Sequence, residues 1–132
     1  MERERCLGRN PDQWAVGGGS SGGTCAFTVG WMRPDRFRRV LCFLGSFPQI
    51  PGGNRYPELV RETSKKPLRV FLQAATHDLN WGPERNWLSA NLQVAAALSE
   101  RGYDFRFVLG DGGHDANHCG TILPDALRGL WR

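Results

Sequence analysis

The sequence lacks any long apolar run. None of its 132 residues falls in a stretch long and apolar enough to span a bilayer. Met1 to Asn10 alternates Arg and Glu where a secretory leader would carry an apolar core. A soluble chain, cytoplasmic by default and without a membrane partner, is the expectation. Cysteine is also sparse. Cys6, Cys25, Cys42 and Cys119 form no CxxC pair, and three of them lie in or beside apolar segments, so buried free thiols are expected. Nor is there a block of one charge sign. The net charge of +4 and the pI near 9.2 come mostly from arginines scattered among Asp and Glu. The densest cluster, Arg33 to Arg39, includes Asp35 and follows a predicted helix end, where cations are favoured anyway. Nucleic acid is therefore not an expected partner.

What is present is an ordinary globular balance, 40% hydrophobic and 23% charged, in a length that suits one compact domain. Gln13 to Val16 is a short, partly apolar segment that runs into the block GGGSSGG, Gly17 to Gly23. Thr24 to Met32 is apolar on most sides and stops at Arg33-Pro34, the pattern of a buried helix ended by proline. Val40 to Gly45 and Leu68 to Gln73 are short apolar runs that predict buried strands, with the Pro- and Gly-rich loop SFPQIPGGN and a short helix, Tyr56 to Thr63, between them. Asn86 to Arg101 places Trp87, Leu88, Leu92, Ala95, Ala96 and Leu98 at helical spacing and stops at Gly102. Phe105 to Leu109 predicts a further strand and Thr121 to Trp131 a closing amphipathic helix. Strands alternating with helices imply right-handed crossovers and an α/β fold, with a mainly parallel sheet covered on both faces.

The glycine block has three readings. A flexible linker has no purpose in so short a block between an apolar segment and a helix. A dinucleotide loop, with Gly17, Gly19 and Gly22 as GxGxxG, needs a carboxylate at the end of the next strand. That strand ends in Leu44-Gly45-Ser46, and no Lys follows the glycines as a phosphate loop requires. The third reading is a nucleophile elbow, GxSxG, filled by Gly18-Gly19-Ser20-Ser21-Gly22. An elbow forces its serine into a strained turn between strand and helix, so small flanking residues are what it demands. The motif also reads one position later, which leaves Ser20 and Ser21 both open.

A serine hydroxyl needs a base within reach and a carboxylate to orient that base. In elbow hydrolases the chain order is Ser, then Asp or Glu, then His. Asp78 follows the strand LRVFLQ and His114 follows FRFVL, so both lie at strand C-terminal ends, where open α/β sheets place their sites. Asp111 and Asp115 compete with Asp78, and His77 and His118 compete with His114. A metal site of His114, His118 and Cys119 is a lesser alternative, because no carboxylate or cysteine cluster at ligand spacing supports it. No metal or other cofactor is expected.

With these residues in hand, the chain resembles the esterase family of α/β hydrolases that includes esterase D-like and enterochelin esterase-like proteins. The matching stretches are GGSSGGTCAFTVGWMRPDRFRRVL, GGNRYPELVRETSKKPLRVFLQ, HDLN, and GYDFRFVLGDGGH with ILPDALRGLWR. The resemblance implies hydrolysis of a small-molecule carboxylic ester with Ser20 as nucleophile, Asp78 as acid and His114 as base. It favours the first serine of the elbow, and it makes the Ser21 N–H one oxyanion donor. Family members commonly carry Asp-Gly where this chain has Ala74-Ala75. They also place several strands, and the second oxyanion donor, before the elbow. The expectation is therefore that residues 1–132 form a single partial domain, the C-terminal part of an α/β-hydrolase fold with about four mainly parallel strands and flanking helices, truncated at its N-terminus. The strand before the elbow would then be an exposed edge through which the chain could form a homo-oligomer. Trp81, Arg85 and Trp87 are expected to line one wall of the pocket. The alternative to an esterase is a non-catalytic binding or interaction domain that retains the fold.

Overall fold

A computed structural model describes residues 8–132. Cys6 lies outside the described residues. Four strands form one parallel sheet in the order β1-β2-β3-β4: β1 (Ala15–Gly19), β2 (Arg39–Phe43), β3 (Arg69–Ala75) and β4 (Asp104–Gly110). Helix α1 (Ser21–Met32) joins β1 to β2, α2 (Tyr56–Glu62) joins β2 to β3, α3 (Trp87–Glu100) joins β3 to β4, and α4 (Asn117–Leu130) follows β4. This is the expected α/β class.

The strand order fixes where the helices lie. When each parallel strand adds on the same side of the last, crossovers of one hand all pass over one face. Accordingly α1, α2 and α3 share a core with Val40, Cys42, Val70 and Leu72, built around Phe27, Trp31, Tyr56, Val60, Val94 and Leu98. The alternate residues Leu41, Phe43 and Phe71 point to the opposite face, where Ala126 and Leu130 of α4 cover them. Both faces of β2 and β3 are thus buried, which is why their sequences read as continuous apolar runs.

Several element bounds differ from the expectation. β1 does not end at Val16 but runs through Gly17, Gly18 and Gly19, each paired with β2. Gln13 belongs instead to a short 3-10 turn. Helix α1 starts three residues earlier than Thr24 and is not buried all round. Thr24, Ala26, Phe27, Gly30 and Trp31 face the core, whereas Cys25 and Met32 are exposed. The expectation of buried thiols therefore holds for Cys42 but fails for Cys25. Helix α4 begins at Asn117 instead of Thr121 and carries Pro124 inside it. Helix α3 comes closest: Asn86 caps its N-terminus by accepting from the Ser89 N–H at 2.9 Å, and the chain leaves it through Gly102 at φ 68°, a left-handed turn that glycine adopts without strain. Among the described residues no helix is long and apolar enough to cross a membrane.

Candidate active site

The β1–α1 junction explains the glycines. A Cβ on Gly18 would lie 2.4 Å from the Gly22 carbonyl oxygen, and one on Gly23 would lie 2.9 Å from the Phe43 carbonyl oxygen. Only hydrogen fits at either place. Gly22 is different, because a Cβ there meets nothing within 4 Å. The steric demand of the motif therefore falls on Gly18 and Gly23, although the sequence pattern singles out Gly18 and Gly22.

Between strand and helix stands Ser20 at φ 58°, ψ −124°, a conformation that costs a non-glycine residue roughly 1–3 kcal/mol. Its backbone is held there from both sides. The Ser20 N–H donates to the Phe43 carbonyl at 2.8 Å, and its own carbonyl accepts from the N–H groups of Gly23, Thr24 and Ser46 at 3.0, 3.2 and 3.1 Å. The turn thrusts the side chain off the end of the sheet.

The loops after β3 and β4 are laced together at the same end. The Thr76 N–H donates to the Gly110 carbonyl at 2.9 Å and the His77 N–H to the Gly112 carbonyl at 3.0 Å, which extends the ladder past the strands. This brings Asp78 and His114 face to face. The His114 Nδ1 lies 2.6 Å from the Asp78 Oδ1 and its Nε2 lies 2.7 Å from the Ser20 Oγ. An ionised carboxylate can only accept, so Nδ1 carries the proton and the Nε2 lone pair faces the Ser20 hydroxyl. The Asp78 side chain is fully buried and the His114 side chain is 21% exposed. Asp78 Oδ1 also accepts from the Leu79 N–H at 2.7 Å, while Oδ2 is buried without a partner among the described residues. A carboxylate so poorly solvated has His114 as its one side-chain partner, which fixes the imidazole strongly.

Among the described residues none of the competing side chains is hydrogen-bonded to Ser20 or to His114. Asp115 uses its carboxylate to accept from the Asn117 N–H, Asp111 offers its backbone carbonyl to the His77 Nδ1, and His118 Nδ1 lies 3.2 Å from the Gln73 Nε2. His114, His118 and Cys119 do not converge: Cys119 Sγ donates to the Ala116 carbonyl, and no metal-binding group of side chains is found among the described residues. Ser21 is exposed and occupies the first position of α1, so its N–H is one of the donors that a helix leaves without an internal acceptor. A cavity of about 250 Å³ opens over Ser20, lined by Gly19, Leu44, His114, Asp115, Ala116 and Cys119. Trp81, Arg85 and Trp87, expected to form one wall, do not line it. Trp87 is wholly buried, with its ring edge-on to His114 at 6.0 Å, whereas Trp81 is half exposed beneath the Arg85 guanidinium.

One neighbour of Ser20 escaped the sequence. Ser46, wholly buried after β2, has its Oγ 3.0 Å from the Ser20 Oγ and accepts from the Trp87 Nε1 at 3.0 Å. Nothing in a loop reading GSFP marks that serine; its partners lie 26 residues before it and 41 after it.

No family model and no curated protein matches the chain. Solved structures do. Enterochelin esterase from Shigella flexneri is 30% identical and superposes with a TM-score of 0.75 over 95% of this chain and 32% of that one. Ferric enterobactin esterase from Salmonella typhimurium is 26% identical, with a TM-score of 0.75 over 93% of this chain and 31% of its own. A ferulic acid esterase, 20% identical, shares the fold with a TM-score of 0.73 over 92% of this chain and 53% of its own. The chain thus spans about a third to a half of the length of these structures. In fold and in sequence it is similar to the enterochelin esterase-like α/β hydrolases, and the resemblance drawn from its motifs holds over nearly its whole length.

Proposed function

We propose that the chain hydrolyses small carboxylic esters by way of an acyl-enzyme. Its similarity to structures named as esterases supports the reaction class. The observation that carries the reading is the unbroken chain of hydrogen bonds from Asp78 through His114 to Ser20, at 2.6 and 2.7 Å, ending on a serine held in a strained turn.

In this mechanism the Ser20 Oγ attacks the ester carbonyl while its proton passes to the His114 Nε2, and the carbonyl π electrons move onto oxygen. Asp78 keeps the imidazole in the required tautomer and stabilises the imidazolium. Collapse of the tetrahedral intermediate breaks the bond to the alcohol, which leaves with the proton from Nε2. A water molecule, deprotonated by His114, then attacks the acyl-Ser20 ester, and the acid is released with Ser20 restored. The Ser21 N–H at the head of α1 would donate to the oxyanion, aided by the positive end of the helix. Removing one donor of such a hole typically costs about a hundred to a thousandfold in rate, which is the contribution expected of the Ser21 N–H. The cavity over Ser20 favours a small group next to the scissile bond.

Release of p-nitrophenol from p-nitrophenyl acetate tests the proposal. The wild-type chain should exceed Ser20→Ala by at least tenfold. Equal rates in the two folded proteins would refute ester hydrolysis at this site and support the non-catalytic binding domain.

A further inference from the structure

We infer that Ser46 is a positioning residue for the Ser20 nucleophile, oriented for that task by Trp87; this rests on the esterase reading above. The direction of each hydrogen bond follows from the chemistry of its donors. The indole Nε1 can only donate, so at 3.0 Å it occupies a lone pair of the Ser46 Oγ. The Ser20 proton is committed to the His114 Nε2, because the other ring nitrogen holds its proton for Asp78. The contact of 3.0 Å between the two serine oxygens must then be the Ser46 O–H donating to Ser20. One directed chain results, from Trp87 Nε1–H through Ser46 O–H and Ser20 O–H to His114.

Two consequences follow. A hydroxyl that accepts a hydrogen bond becomes a better donor, so Ser46 strengthens the bond by which Ser20 delivers its proton. It also selects, among the rotamers of Ser20, the one that faces His114. Ser46 is suited to this because it has no freedom of its own. It is wholly buried, its N–H is bonded to the Ser20 carbonyl, and its carbonyl accepts from the Gln49 and Ile50 N–H groups at 3.1 and 3.0 Å. Trp87 is fixed in turn by complete burial at the start of α3.

The test is the rate of covalent inactivation of the chain by a fluorophosphonate, separated into its binding constant and its maximal rate. Ser46→Ala should lower the maximal rate about tenfold, about 1.4 kcal/mol in barrier, and leave the binding constant within twofold. Ser46→Ala strands the buried indole N–H, so a loss of fold could mimic the effect. The double variant Ser46→Ala with Trp87→Phe removes both partners, and replacing both is far less costly than orphaning one. It should recover thermal stability relative to Ser46→Ala while staying about tenfold slow. A wild-type maximal rate in Ser46→Ala, or recovery of the rate together with stability in the double variant, would overturn the inference. Failure of the wild-type chain to label at Ser20 would instead refute the esterase reading itself.

Discussion

The two glycines of the GxSxG pattern should respond to alanine in opposite ways. In Gly18→Ala the new methyl would sit 2.4 Å from the Gly22 carbonyl oxygen, 2.5 Å from its carbonyl carbon and 3.0 Å from its Cα. These are backbone atoms of the first turn of α1, so no side chain can swing away. Either β1 or the helix start must move. Overpacking of this kind costs roughly 1–3 kcal/mol, and displacing a catalytic group by about 1 Å costs on the order of a hundredfold in rate. Gly22→Ala places its methyl in open space at the second residue of the helix, where trading glycine for alanine gains roughly 0.5–1 kcal/mol. At about 4 °C per kcal/mol for a chain of this size, Gly18→Ala should melt roughly 4–12 °C lower and Gly22→Ala roughly 2–4 °C higher. Circular dichroism gives the melting point and fluorophosphonate labelling reads the integrity of the site. Normal labelling in Gly18→Ala, or a collapse of stability in Gly22→Ala, would refute the steric account of the elbow.

Asp78→Asn should lower ester hydrolysis by about a thousandfold or more, because the amide no longer enforces the right imidazole tautomer, whereas Asp115→Asn should stay within threefold; equal losses in the two variants would make Asp78 the wrong acid. Burial pushes the Cys42 thiol from its ordinary 9.0 up to about 12. Above pH 9 the unfolded chain sheds this proton and the folded chain keeps it, so stability falls as pH rises, by about 1 kcal/mol between pH 9 and 10 for this one group. Tyr56, also raised by burial, adds the same sign at higher pH. Urea titrations at pH 9 and 10 should show this slope in the wild type and a shallower one in Cys42→Ala; an unchanged slope would show that Cys42 is not its source. Finally, β1 has β2 as its one neighbour among the described residues, and its free edge should support concentration-dependent association. Light scattering behind size exclusion would contradict this with a monomer at every concentration.

The parts of the fold that were legible in the sequence are those whose burial is symmetrical. Val40 to Phe43 and Val70 to Leu72 carry apolar side chains to both faces of the sheet, so these runs are unbroken and their strands plain. That β1 runs on through Gly17 to Gly19 is not visible in a block of glycines; in the structure the Gly22 backbone leaves no room for a side chain at Gly18, and Leu41 crowds Gly17. The first turn of α4 carries no apolar signal, because Asn117 to Gly120 is polar or small and its core contacts start only at Cys119 and Ile122. Ser20, Asp78 and His114 could be singled out because chain order and strand ends constrain them, and the structure brings the three side chains within hydrogen-bonding distance. Ser46 could not, since its meaning lies in an indole that reaches it from another element.

In the proposed reaction Ser20, driven by His114, is the nucleophile. The direct measurement is mass-spectrometric mapping of the fluorophosphonate adduct on the wild-type chain, with folded His114→Ala beside it. The expected result is a single adduct on the peptide containing Ser20, fragmentation placing it on Ser20 and not on Ser21, and its near-complete loss in His114→Ala. An adduct on Ser21, or one formed equally fast without His114, would show that Ser20 and His114 do not act in this way.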